Sequence, residues 1–107
     1  MNRLQNKVAI ITGAASGQGA AEAKLFAAEG AKVVVTDVND REGRRVAQTI
    51  GGQALFIHHD VTEVESWQAV ISATLKIFGS VGILINNAGV YRPKTFQETD
   101  AALLDFH

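Results

Sequence analysis

The stretch Val8-Ala9-Ile10-Ile11-Thr12-Gly13-Ala14-Ala15-Ser16-Gly17-Gln18-Gly19 runs five apolar or β-branched residues into three glycines within seven positions. An unbroken apolar run of this length is the pattern of a parallel strand buried on both faces. Glycines placed directly after it remove side chains where the chain turns, so backbone N–H groups can approach a bound anion. An alanine-rich helix is expected next, over Gly17 to Glu29, ended by Gly30. Its positive N-terminal end points into the same space, which suits a phosphate or pyrophosphate.

The same alternation continues outward from this turn. Strands are expected at Lys7 to Thr12, Ala31 to Asp37, Ala54 to Ile57 and Gly82 to Asn86. Between them, Asn39 with Glu42 offers a capping-box start to a helix carrying Val46, Ala47 and Ile50 inward. That helix stops at Gly51-Gly52. Thr62 with Glu65 repeats the cap pattern ahead of Val64, Trp67, Ile71, Leu75 and Phe78, an apolar helical face closed by Gly79. Beyond the fourth strand come a turn at Asn87-Ala88-Gly89 and a loop, Tyr91 to Gln97, holding Pro93. A last helix is then expected to be capped by Thr99 or Asp100.

Four strands alternating with three complete helices predict an α/β fold, a doubly wound parallel sheet in three layers. Right-handed crossovers put the first two helices on one face. Pairing of the fourth strand beside the first gives the order 3-2-1-4, with a switch point between strands one and four. Ligands of such sheets bind there, beyond the C-terminal strand ends. Gly13 to Gly19, Asp37, Asp60 and Asn87 all fall at those ends.

Bulk properties narrow the function. The chain has 107 residues, a net charge of −1 and no cysteine. One domain is expected, without disulfides or thiolate chemistry. The absence of a basic cluster argues against nucleic acid. No apolar run approaches the ~20 residues that cross a bilayer, and the first residues lack a signal-peptide pattern. The expected location is cytoplasmic.

Four places carry candidate chemistry. The G-xxx-G-x-G turn differs from both the G-x-G-x-x-G fingerprint and the P-loop; alone it fits a plain strand–helix connection as well as a phosphate site. Asp37, 18 residues beyond Gly19, can accept both hydroxyls of an adenine ribose or cap a helix. As a ribose ligand it repels a 2′-phosphate, and Arg41 lies four residues away, so NAD is favoured over NADP. Asp60-Val61 offers an edge and an apolar contact for adenine, or a polar strand exit. Asn86 and Asn87 can tie neighbouring strands, with Gly89 leaving room for a cofactor, or form a simple turn. His58 and His59 point to opposite faces of an extended strand and so cannot readily share a metal ion. Trp67 is expected in the core, and Arg41, Arg44 and Arg45 on a solvated helix face.

Together, Thr12 to Gly19, Asp37, Asp60-Val61 and Asn86-Asn87-Ala88-Gly89 resemble the short-chain dehydrogenase/reductase family, across essentially the whole chain. The resemblance implies a Rossmann-like fold and an NAD-dependent oxidoreductase acting on a small alcohol or ketone. It implies cofactor contacts from Gly13, Ala15, Ser16, Gln18, Gly19, Asp37, Asp60, Val61, Asn87, Ala88 and Gly89. Gln18 departs from the family, which more often has an apolar residue there, and bears on the nicotinamide end. The family's catalytic Ser and Tyr-x-x-x-Lys have no counterpart: Tyr91 is the only tyrosine and position 95 is Thr. Without an acid on the carbonyl oxygen, hydride transfer is not supported. The expectation is the N-terminal part of a longer dehydrogenase, inactive alone and oligomeric only at full length. The alternatives are a non-catalytic dinucleotide-binding remnant and an S-adenosylmethionine-binding domain, against which the Gly13-to-Gly17 gap and Asn86 to Gly89 argue.

Overall fold

The computed structural model describes residues 3–87. The expectations for Ala88, Gly89, the loop with Pro93 and the last helix lie outside them. The elements are β1 (Val8–Thr12), α1 (Gly17–Ala28), β2 (Lys32–Asp37), α2 (Asp40–Ile50), β3 (Ala54–His58), α3 (Val64–Phe78) and β4 (Ile83–Asn86). The sheet is parallel with order β3-β2-β1-β4: β4 pairs beside β1, as the expected 3-2-1-4 order has it.

All five residues of β1 are buried. Its alternating side chains feed two separate cores. Ile11 belongs to a cluster with Val33, Val35 and the α1 and α2 residues Ala23, Ala27, Val46 and Ala47. Ile10 belongs to a second cluster with Val34, Val70 of α3 and Val81, against which Ile71 and Phe78 pack. A parallel central strand favours apolar residues because both of its faces are covered, and the buried Thr12 that ends β1 has its hydroxyl satisfied by Asn86 Oδ1. The small α1 residues Gly19, Ala23 and Ala27 are the ones it buries, which lets that helix lie close to the sheet.

Three local expectations shift. Thr62 does not cap α3: its N–H and hydroxyl both donate to Asp60 Oδ1, at 2.9 and 2.6 Å, so the side chain serves Asp60 instead of the helix end. The N-cap position is Glu63, without a side-chain cap bond. The buried stripe of α3 centres on Val70 and Thr74, whereas Val64 is 67% and Leu75 39% exposed. Thr74 is tolerated in the core because its hydroxyl donates to the Val70 carbonyl at 2.7 Å. Only half of the α2 capping box forms. Asn39 Oδ1 accepts from Glu42 N–H at 3.1 Å, while the Glu42 carboxylate pairs with Arg45 instead of returning to Asn39.

Candidate functional site

The C-terminal strand ends converge on a cleft of about 100 Å³. Thr12 and Gly13 follow from β1, Thr36 to Val38 from β2, and His59 to Thr62 from the segment after β3. On one side stands the glycine turn. Gly17 turns the chain at φ 60°, in the left-handed region that favours glycine. Gly19 packs so tightly that a Cβ there would lie 2.2 Å from the Gly13 carbonyl oxygen. Any larger residue at 19 would therefore push α1 off the turn. Ser16, at the N-cap of α1, makes no side-chain cap bond, and the first turn carries no acidic residue. The first N–H groups of a helix have no intrahelical partner, so this end keeps donors available for an anion.

Asp37 is fixed at the cleft rim by two backbone donors. Ala15 N–H donates to Oδ2 and Asn39 N–H to Oδ1, each at 3.0 Å. The neighbouring Ala14 N–H donates to the Thr36 carbonyl at 3.0 Å. The carboxylate thus ties the glycine turn to the end of β2, and each oxygen keeps a lone pair for another donor. Arg45 is paired with Glu42 at 2.8 Å, and Arg44 lies over the Phe56 ring at 5.8 Å.

Across the cleft, the Thr62 hydroxyl and backbone N–H hold the Asp60 carboxyl below its ordinary pKa. The Val61 carbonyl accepts the indole N–H of Trp67 at 2.9 Å. Trp67 in turn meets the buried His59 ring edge-on, with centroids 4.3 Å apart. Burial lowers the His59 pKa from 6.5 to about 4. His59 Nδ1 bonds the Ser66 hydroxyl at 2.7 Å, and that oxygen also accepts Asp60 N–H at 3.0 Å. Ser66 therefore pins the segment that carries Asp60 and Val61. His58 is exposed and bonds Asp40 at 2.6 Å. Among the described residues no group of three or more His, Cys, Asp or Glu side chains is placed to hold a metal ion.

At the β1–β4 side, the Thr12 hydroxyl donates to Asn86 Oδ1 at 2.6 Å and accepts Asn87 N–H at 2.9 Å. The strand tie expected of the two asparagines thus runs through a threonine hydroxyl. Asn87 Nδ2 donates to Glu22 Oε1, and Gln18 Nε2 donates to Glu22 Oε2 at 3.2 Å.

The structure therefore brings Gly13, Ala15, Ser16, Gln18, Gly19, Asp37, Asp60, Val61 and Asn87 to one end of the sheet. Sequence reasoning missed Glu22, Ser66 and the Thr12 hydroxyl. Glu22 was findable as the i+4 neighbour of Gln18 on α1; Ser66 carried no comparable signal.

No helix among the described residues is long and apolar enough to cross a membrane. A family model described as short chain dehydrogenase matches residues 7–105. The chain is 51% identical over 100 residues to the 2,5-dichloro-2,5-cyclohexadiene-1,4-diol dehydrogenase LinX of Sphingobium indicum, covering 91% of this chain and 40% of that protein. The hydroxysteroid dehydrogenase structure from Escherichia coli superposes with a TM-score of 0.78 at 42% identity, covering 86% of this chain and 40% of that one. A 3-ketoacyl-(acyl-carrier-protein) reductase from Brucella melitensis, complexed with NADH, gives 0.75 at 39% identity, covering 89% and 43%. The chain thus spans about two fifths of the length of these relatives. With the match running from the start of β1 past the end of β4, and the strand order and glycine turn in agreement with it, the chain belongs to the short-chain dehydrogenase family.

Proposed function

We propose that this chain forms the adenosine-binding part of an NAD-dependent oxidoreductase that interconverts a small alcohol and ketone. One observation carries the reading: the Asp37 carboxylate is anchored by Ala15 and Asn39 at the rim of a cleft beside the uncapped end of α1. A carboxylate held there accepts ribose hydroxyls, and it repels a 2′-phosphate. The N–H groups at Gly17 to Gly19 suit the pyrophosphate. Asp60 and Val61 would border the adenine, and Asn87, with Ala88 and Gly89, would line the continuing cleft. The fit is supported by the tight Gly13–Gly19 approach, which leaves no room for a side chain between the turn and the start of α1. The NADH complex of the Brucella reductase supports a nicotinamide cofactor, which supplies the hydride when bound.

The catalytic Ser and Tyr-x-x-x-Lys are proposed to lie outside these 107 positions, in a longer protein of which this is the N-terminal part of the nucleotide domain. A cytoplasmic location and oligomerisation at full length belong to the same reading. Fluorescence titration tests it. NADH should saturate the folded chain, NADPH should bind about tenfold more weakly, and Asp37→Ala should erase that difference. A folded chain that takes up neither cofactor, or that binds NADPH as tightly, overturns the assignment. Alcohol-dependent reduction of NAD by the purified chain would overturn the placement of the catalytic groups.

A further inference from the structure

We propose that Glu22 is a positioning residue that sets the hydrogen-bonding polarity of the site for the cofactor's nicotinamide half. The inference rests on the dinucleotide reading above. The cleft at Asp37 and Asp60 lies on the β2–β3 side of the glycine turn, whereas Glu22, Gln18 and Asn87 cluster on its β1–β4 side. A ligand whose adenosine sits in the first place and whose diphosphate meets the N-terminus of α1 extends toward the second.

A carboxylate only accepts hydrogen bonds, so an amide that meets it must present its NH₂. Glu22 meets two amides, one on each oxygen: Gln18 Nε2 and Asn87 Nδ2. Both amides therefore present their NH₂ to Glu22, and both carbonyl oxygens turn away from it. Asn87 is held at its backbone as well, through Thr12. The result is a pair of oriented acceptors at the switch point. Acceptors suit ribose hydroxyls and a carboxamide NH₂, which are the donors of the nicotinamide half, and they disfavour a second anionic group there.

Charge and positioning predict opposite signs for removal of this carboxylate. Glu22 sits one turn into the helix whose N-terminus would face a diphosphate, so on charge alone Glu22→Ala should tighten every nucleotide. As a positioning residue, its loss should weaken NADH by about tenfold, the worth of one to two hydrogen bonds, and leave ADP unaffected or slightly tighter. Glu22→Gln keeps one accepting oxygen and should recover part of the loss, to about threefold. Calorimetric dissociation constants for NADH and ADP on the wild-type chain and both variants decide the matter. Equal effects on NADH and ADP, or tighter NADH binding in Glu22→Ala, overturn the proposal while the dinucleotide reading stands. ADP binding to the wild-type chain without any NADH advantage also overturns it. Failure of both ligands to bind the folded wild-type chain removes the reading beneath it.

Discussion

Two acidic residues at the cleft, Asp37 and Asp60, share a logic in which backbone and hydroxyl donors hold a carboxylate at a fixed place. Asp37 uses N–H groups from two different segments, so its position reports the packing of the glycine turn on β2. Asp60 uses Thr62, a purely local partner. The histidine beside it has a different consequence. His59 is buried and half satisfied: Nδ1 has Ser66, while Nε2 has no partner among the described residues. Burial holds its folded pKa near 4, below the 6.5 of a solvated imidazole. As pH falls, the unfolded chain takes up this proton first. The stabilisation is complete above about pH 6.5, drains between 6.5 and 4, and is gone below 4. It amounts to roughly 3 kcal/mol at most. Urea midpoints measured at pH 7.5 and 5 should therefore drop for the wild-type chain, and much less for His59→Leu. Asp60, whose pKa is also lowered, has the opposite charge type and a lower window. Its contribution is present above the ordinary carboxylate pKa and fades only in more acidic solution. Equal pH sensitivity in both proteins would show that His59 is not the titrating group.

At the level of helices, the ends differ by function. Helix α2 is capped in the ordinary way: Asn39 accepts from Glu42, and Asp40 and Glu42 stand in the first turn. Helix α1 has neither device and faces the proposed diphosphate. Asn39→Ala should accordingly cost about 1 kcal/mol, seen as a lower urea midpoint at unchanged slope, while the NADH dissociation constant stays the same because the Asn39 N–H to Asp37 is retained. A loss of NADH binding larger than the loss of stability would mean that α2 shapes the cleft directly. The contrast between these caps was half legible in the residues. Asn39 was readable because a short polar side chain ahead of an amphipathic run has one dominant use. Thr62 was not, because the same residue type can serve an upstream carboxylate, and Asp60 lay within reach. The α3 stripe was misplaced for a related reason. Val64 and Leu75 match the helical period, yet the sheet claims Val70 and Thr74, and a threonine counts as polar until its hydroxyl finds Val70. The i+4 spacing exposes the Gln18–Glu22 contact, but not the link from Glu22 to Asn87, which is 65 residues away.

For the molecule as a whole, the parallel sheet followed from the alternation of β and α segments, its order from pairing the fourth strand beside the first, and burial of β1 from its apolar run. The two-sided core has a further thermodynamic consequence. Ile10 and Ile11 are neighbours in sequence and both fully buried, yet they belong to different clusters, one under α3 and the other under α1 and α2. Their side chains share no packing partner across the sheet. Ile→Val at either position should cost about 0.5–1.5 kcal/mol, as removal of one buried methylene does. If the three layers pack independently, the double variant should lose the sum of the two within about 0.5 kcal/mol, as non-contacting sites do. Ile11→Val combined with Val35→Ala provides the contrast. Those residues share the α1–α2 cluster, so their cavities merge and the costs should depart measurably from additivity. Chemical denaturation of the three single and two combined isoleucine and valine variants, with unchanged slope in urea, measures both cycles. Strong coupling between positions 10 and 11 would mean that strain passes through β1 from one layer to the other, and that the sheet is a deformable plate instead of a rigid partition between two cores.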